Sequence, residues 1–232
     1  MARDPAPERS PMSLSALLSE YGDLYLRALL NTWRLTALCF AGAFAIGVVI
    51  TVLRVCPVKP LRVFGDFFVQ VFRNIPGAAL LILLVYALPR LRVLLSYEMC
   101  VIVASVLIPS AFCSEHLMSG MNTISPGEIE AARALGLTFT QLIGRIVIPQ
   151  ALRSTVLPMT SLVVGTMLTT ALGSQVPLRP NQLELTGAVN YINSRAVGGI
   201  LAFAISAALY VATALVIGWV GGRIDKKVRI LR

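Results

Sequence analysis

The chain has 232 residues, of which 56% are hydrophobic and 13% charged, against roughly 45–50% and 25% in an average soluble domain. With a mean hydropathy of +0.79, this composition excludes a disordered chain, a nucleic-acid-binding arm and an ordinary soluble enzyme, and calls for a polytopic membrane protein. The net charge of +9 therefore reads as Lys and Arg in cytoplasmic loops, where they set orientation.

Residues 1–20 are polar and hold Pro5, Pro7 and Pro11, which predicts a mobile N-terminal tail, extracytoplasmic and extending over residues 1–27. A secretory signal is not expected, because the first apolar run is long enough to stay in the membrane. Leu14 to Leu26 has apolar residues at mixed helical spacing, which favours a helical approach to the first span over a helix lying on the membrane surface. A spanning helix needs roughly 20 apolar residues. Five segments qualify: Leu29 to Leu53, Val63 to Leu88, Met99 to Met118, Ser154 to Gln175 and Ala196 to Gly222. The second is the least regular, since it carries Asp66 and Arg73 and holds Pro76 near its middle. The expected fold is an all-α membrane protein with five transmembrane helices over residues 28–222 and a basic tail over 223–232.

Five spans place the two ends on opposite sides. The tail holds Arg223, Lys226, Lys227, Arg229 and Arg232 against Asp225, and the first loop holds Arg54, Lys59 and Arg62 with no acid. If Lys and Arg mark the inner face, both are cytoplasmic and the N-terminus is outside. Gly42, Ala43 and Gly47 in the first span, with Gly218, Gly221 and Gly222 in the fifth, permit close helix packing. Cys39, Cys56, Cys100 and Cys113 show no C-x-x-C spacing and read as small buried apolar residues. His116 is the one histidine; alone it makes no metal site, and no metal or catalytic residue is expected.

The third loop, residues 119–153, is long enough to be functional. Ser125, Pro126 and Glu128 are spaced as a capping box with proline at the first helical position. They predict a helix from Pro126 to Leu135, ended by Gly136 in the left-handed conformation. Thr138 or Thr140 would cap a second short helix ending before Pro149. Ile129, Ala132 and Leu135 fall on one face of the first helix, with Glu130 and Arg133 off it.

Glu130-Ala131-Ala132, then three residues to Gly136, nine more to Ile146 and one to Ile148-Pro149 resemble the EAA loop of the permease subunits of ABC importers, with Ile148 where that pattern has Leu. Arg54 to Arg62, the Arg73-Asn74-Ile75-Pro76 segment, Glu115, Gly127-Glu128 and Pro149 to Arg153 further resemble the polar amino acid group, most of all its glutamate and glutamine permeases. The resemblance implies the type I importer fold and a multi-pass protein of a prokaryotic plasma membrane. It implies that Glu130, Ala131, Ala132, Gly136, Ile146 and Pro149 couple the chain to an ATPase. It also implies partners: a second permease, two ATPase subunits carrying ATP and Mg, and an extracytoplasmic solute-binding protein. The chain itself would bind no cofactor and be no enzyme.

Two stretches depart from that group. Leu168-Thr169-Thr170-Ala171-Leu172 stands where it often has Lys-Asp-Thr-Ser-Leu, and Ser161 where it often has Asn. These losses fit a heterodimer whose other permease holds the polar site. Arg73, Asn74, Ser161, Thr169 and Thr170 remain the substrate-path expectations. Asp66 and Arg73 are seven apart on one helix face, and two readings stand: a structural pair or snorkelling arginine, or an Arg73 that attracts a carboxylate along the path. Glu115 and Gly127 are expected to support the loop, Glu115 through backbone donors. The chain has no G-x-x-x-x-G-K-[ST] sequence, so ATP would be held elsewhere. An importer for another small zwitterion or amino acid derivative is the alternative within the class. An intramembrane enzyme lacks a nucleophile–base pair here, and a scaffold without an ATPase has no need of the loop pattern.

Overall fold

The computed structural model describes residues 13–195 and 199–228. The sequence-predicted tail residues 1–12, with Pro5, Pro7 and Pro11, and the basic residues Arg229 and Arg232 lie outside them, as does the start of the fifth span at Ala196. Helix α1 runs Leu14–Val55, capped by Ser13, whose Oγ accepts from the Ala16 amide. Residues 14–27, expected as the end of a tail, are thus continuous with the first span. At 42 residues and 1.5 Å per residue, α1 is about 63 Å long, twice the ~30 Å of hydrocarbon.

The second expected span is two helices, α2 Lys59–Asn74 and α3 Gly77–Ile82, with α3 prolonged by a π turn over Leu83–Ala87 and a 3-10 turn over Leu88–Leu91. They meet at 104°. Pro76 has no amide hydrogen and drives the residue before it out of the helical region, and Ile75 accordingly sits at φ −77°, ψ 129°. Helix α4 spans Tyr97–Met121 under a Ser96 cap. The third loop follows as α5 Pro126–Ala134, α6 Phe139–Leu142, a π turn over Ile143–Val147 and α7 Ile148–Ser154. Helix α8, Val156–Thr170, ends in a 3-10 turn to Gln175. Helix α9, Leu185–Ser194, precedes α10, Gly199–Val228. Among the described residues four helices are long and apolar enough to cross a membrane, five if the bent pair counts as one passage.

Helix α4 is the central element and packs on α1, α2, α7 and α8. More than half of its apolar stretch, 56%, is buried within the chain, against 11% for α10, whose Ile200, Leu215 and Trp219 point outward. A helix apolar on all sides is suited to lipid on most of them. Close approach of α1 to α4 is permitted by Gly47, where a Cβ would lie 2.6 Å from Cys113 Cβ. All four cysteines are free and buried.

Helix α9 is strapped to the bundle by polar groups. Glu184 is its N-cap and accepts from the amides of Thr186 (2.6 Å) and Gly187 (2.7 Å) and from the Tyr210 hydroxyl of α10 (3.0 Å). Thr32 of α1 accepts from the Leu185 amide, and Ser206 of α10 donates to the Leu185 carbonyl. Asn31 donates to the carbonyls of Gln182 and Leu183, and Gln182 donates to Glu98, which also pairs with Arg34. Below the strap, Leu185, Ala188, Val189 and Ile192 pack on Leu17, Tyr21, Tyr25 and Ala28.

Glu184 is fully buried. Burial pushes its carboxyl above the ordinary value of 4.5, and the donated hydrogen bonds pull it partly back. Glu184→Ala removes a cap worth about 1 kcal/mol and the bond from the Tyr210 hydroxyl, about 0.5–1.5 kcal/mol more, leaving that hydroxyl only Thr186 Oγ1, 3.2 Å away. A clear drop in melting temperature in detergent is expected. A raised native pKa means that Glu184 contributes most below its unfolded value and that the contribution is lost as pH rises through the native one. The deficit of the variant should therefore grow between pH 7 and pH 4.5, the ordinary value; a deficit that shrank would contradict this account.

Candidate functional site

Three sites lie along α4 and its continuation. The first is the third loop. Ala132 of α5 is buried against Ile124, Leu142, Ile143 and Val147, with Ile129 and Ile146 partly buried beside it. Gly127, Glu130, Ala131 and Ala134 are exposed and share the opposite face by helical spacing. A glutamate among small residues leaves a thin, open helix face. Gly136 has φ +78°. Its amide donates to the Arg133 carbonyl at 2.9 Å, and the Leu137 amide to the Ala132 carbonyl at 3.2 Å, the two bonds of a Schellman ending.

Four local expectations are corrected. Ser125 makes no capping hydrogen bond, and Glu128 instead accepts from Gln150 Nε2 at 2.8 Å, a tertiary partner that outcompetes the local one. The closed capping box is the next one, Thr138 with Gln141. Leu135 is 82% exposed and does not share the buried face of Ile129 and Ala132, because as cap residue it leaves the helical path (ψ 4°). The second helix does not stop before Pro149: the π turn over Ile143–Val147 leads directly into α7, with Pro149 in its first turn, so the ladder shifts register where the proline, which has no amide hydrogen, enters it. At Gly127, expected to support the loop, an added Cβ would meet only Ser125 Oγ, at 3.6 Å.

The second site is an ion network where α1, α2 and α4 meet. Arg54 Nε bonds Asp66 Oδ1 at 2.8 Å, Arg54 Nη1 bonds Glu115 Oε1 at 2.8 Å, and Arg73 Nη1 bonds Glu115 Oε2 at 2.7 Å. Ser114 Oγ accepts from Arg54 at 3.2 Å and lies 3.1 Å from Thr51 Oγ1. Asp66 and Arg73 are therefore not each other's partners. Glu115 bridges two arginines rather than holding loop amides. The hub is Arg54, by sequence a charge of the first loop; its partners Ser114 and Glu115 are 60 and 61 positions on, and nothing in the local sequence links them.

The third site is a cavity of about 260 Å³ between α4 and α8, lined by Pro109, Phe112, His116, Ser161, Gly165 and Thr169 among others. Of the substrate-path expectations, Ser161 and Thr169 are here. Arg73 is in the ion network, and Asn74 sits at the end of α2, donating to the Gln70 carbonyl. Thr170 is buried and bonds the Met167 carbonyl. His116, read from the sequence only as making no metal site by itself, lines the cavity.

Residues 43–230 match the family described as binding-protein-dependent transport system inner membrane component. The chain is 30% identical over 148 residues to the probable glutamine ABC transporter permease protein GlnM of Bacillus subtilis, covering 64% of this chain and 68% of that one. It is 28% identical over 231 residues to the glutamate transport system permease protein GluC of Corynebacterium efficiens, covering 94% and 99%. Among solved structures, an amino acid ABC transporter crystallised with histidines superposes with a TM-score of 0.82 at 22% identity, over 93% of this chain and 100% of that one. The MetNI methionine ABC transporter in an inward-facing conformation gives 0.76 at 23%, over 94% and 100%. These likenesses at low identity establish the shared fold.

The side chain of Arg54 is 13% exposed, that of Arg73 42% and that of Asp66 53%. Removing a buried partner strands the charge opposite it, at about 3–5 kcal/mol, whereas exposed pairs contribute about 0–1 kcal/mol. Thermal unfolding of Arg54→Ala, Arg73→Ala and Asp66→Asn should rank with Arg54→Ala far the worst; equal losses for all three would refute Arg54 as the hub.

Proposed function

The chain belongs to the family of binding-protein-dependent transport system inner membrane components, and on that premise, as a non-enzymatic permease subunit of an ABC importer, we propose that it moves a polar amino acid of the glutamate or glutamine type inward. The observation that carries the coupling is the third loop: a thin face around Glu130 and Ala131, fixed at the end of α4 by the buried Ala132 and the Schellman ending at Gly136. Glutamine and glutamate permeases among the relatives support the substrate class.

In this reading α5 docks on a separate ATPase subunit that holds ATP and Mg, Glu130 meets a basic or backbone donor there, and Ala131 keeps the helix slender enough to enter a groove. Closure of the ATPase pair displaces α5. The stiff connections to α4 and α8 then carry the spans between inward-open and outward-open states, which bind cargo differently. In this reading the C-terminus is cytoplasmic and the N-terminus outside, which the positive charge of the tail and first loop supports. A solute-binding protein delivers cargo from outside, and a second permease, with its own path residues, completes a heterodimer. Ser161 and Thr169 line the path of this subunit.

The test is ATPase activity of the complex reconstituted with its binding protein, screened against the twenty amino acids and common derivatives. Stimulation by glutamate or glutamine is expected. A complex that assembles but responds to no amino acid would sink the substrate class. Gly136→Asp forces a β-carbon into the left-handed region and should abolish copurification of the ATPase; full retention would sink the docking role of the loop.

A further inference from the structure

We propose that His116 is the specificity-determining residue of the translocation cavity, selecting cargo that offers a carboxylate or amide oxygen and rejecting cationic amino acids. This rests on the permease reading above and names the chemistry of its path.

The cavity is at the depth where cargo must pass. Pro109 on its wall is near the middle of the 25-residue α4, and the run from Pro109 to His116 covers about 10 Å at 1.5 Å per residue. Helix α8 runs the opposite way, so Ser161 lies toward the His116 end and Thr169 toward the outer end, where Ser105 of α4 donates to the Thr169 carbonyl. At about 260 Å³ the space is just below the ~300–1,000 Å³ of drug-sized sites and suits a small solute.

The lining holds one imidazole and two hydroxyls among apolar walls, and no carboxylate. The hydroxyl of Thr169 donates to the Thr166 carbonyl at 2.7 Å, which leaves its lone pairs to accept from an α-ammonium group. His116 supplies a ring N–H donor and is in either protonation state suited to an oxygen. The nearest acid, Glu115, is the preceding residue, but both of its oxygens are engaged by Arg54 and Arg73. A guanidinium or a second ammonium entering here would lose its hydration with no counter-charge on the wall, which is costly. A carboxylate or amide side chain meets a donor instead. The neighbours Glu115 and His116 thus divide the work of one helical turn: the first holds the helix to α1 and α2, and the second faces the cargo.

The experiment measures equilibrium binding of labelled glutamine, glutamate and arginine to the solubilised permease–ATPase complex without its binding protein, so that the affinity belongs to the membrane subunits and the variants of this chain assign it to the cavity. Glutamine or glutamate should bind and arginine should not. His116→Leu should weaken binding about tenfold, the effect of one lost polar contact, while His116→Gln, which keeps an N–H donor, should hold most of it. His116→Glu should admit arginine. If the leucine variant fails to assemble, Ser161→Leu fills the same space from the opposite wall and should lower affinity likewise. Unchanged affinity and unchanged arginine rejection in these variants, with the full system still stimulated by amino acids, overturns the role of His116 and leaves the importer reading intact. Preferential binding of arginine by the unaltered complex overturns it too. Absence of any amino acid response in the full system removes both.

Discussion

A bilayer interior supplies no hydrogen-bond partner, so every polar group that enters it must be satisfied by the chain itself, and that requirement organises this molecule. Thr32, Thr36, Thr51, Thr155, Thr160, Thr166 and Thr213 each donate to the carbonyl four residues back, a bond that stays within one helix and leaves packing to apolar and small residues. The larger polar groups cannot close on themselves and join helices instead. Arg54 and Glu115 tie α1, α2 and α4 at one end, and Glu184 with Tyr210 ties α9 to α10 at the other. Between the two ties the contacts are mostly apolar, as between Gly47 and Cys113.

Helix α4 gathers the functional elements along a single rod. Its C-terminal end runs into the third loop, Glu115 and His116 stand within two turns of that end, and Pro109 faces the cavity at mid-length. On one side only the turn residues 122–125 separate α4 from α5, with Ile124 buried in the cluster that holds Ala132. On the return side the connection to α8 runs through the π turn at Ile143–Val147 and α7, with Ala151 and Thr155 buried. The loop thus joins the two helices that form the walls of the cavity.

What could be read from the sequence was local chemistry and length. The apolar runs located α1, α4, α8 and α10, because hydrocarbon thickness sets a length that composition reports directly. Gly136 was legible because left-handed backbone favours glycine whatever surrounds it. The Ser125 box was misread for the opposite reason: the same spacing closes at Thr138 and Gln141, but at Glu128 the competing partner, Gln150, is 22 residues away. Asp66 and Arg73 seemed a pair by face, yet seven residues of helix separate them by about 10 Å along the axis, beyond any direct bond. Their partners come from other helices, and Arg54 and Glu115 are 61 positions apart. No local pattern announces such a contact, and for the same reason nothing around His116 in the sequence announces the cavity that it lines with α8.

The break at Pro76 bears on how the chain enters its membrane. Helix α2 has Lys59 and Arg62 in its first turn and carries Asp66 and Arg73 further along, and a charge at bilayer depth opposes insertion by about 2.5–3.5 kcal/mol. As a newly made segment it cannot partition into lipid by itself. Asp66 and Arg73 become neutralised only when Arg54 of α1 and Glu115 of α4 stand beside them, and Glu115 is synthesised later. The charges of the second passage are thus matched by residues on both sides of it in the chain, Arg54 made before it and Glu115 after it, so the network that holds α2 is complete only once α4 is in place.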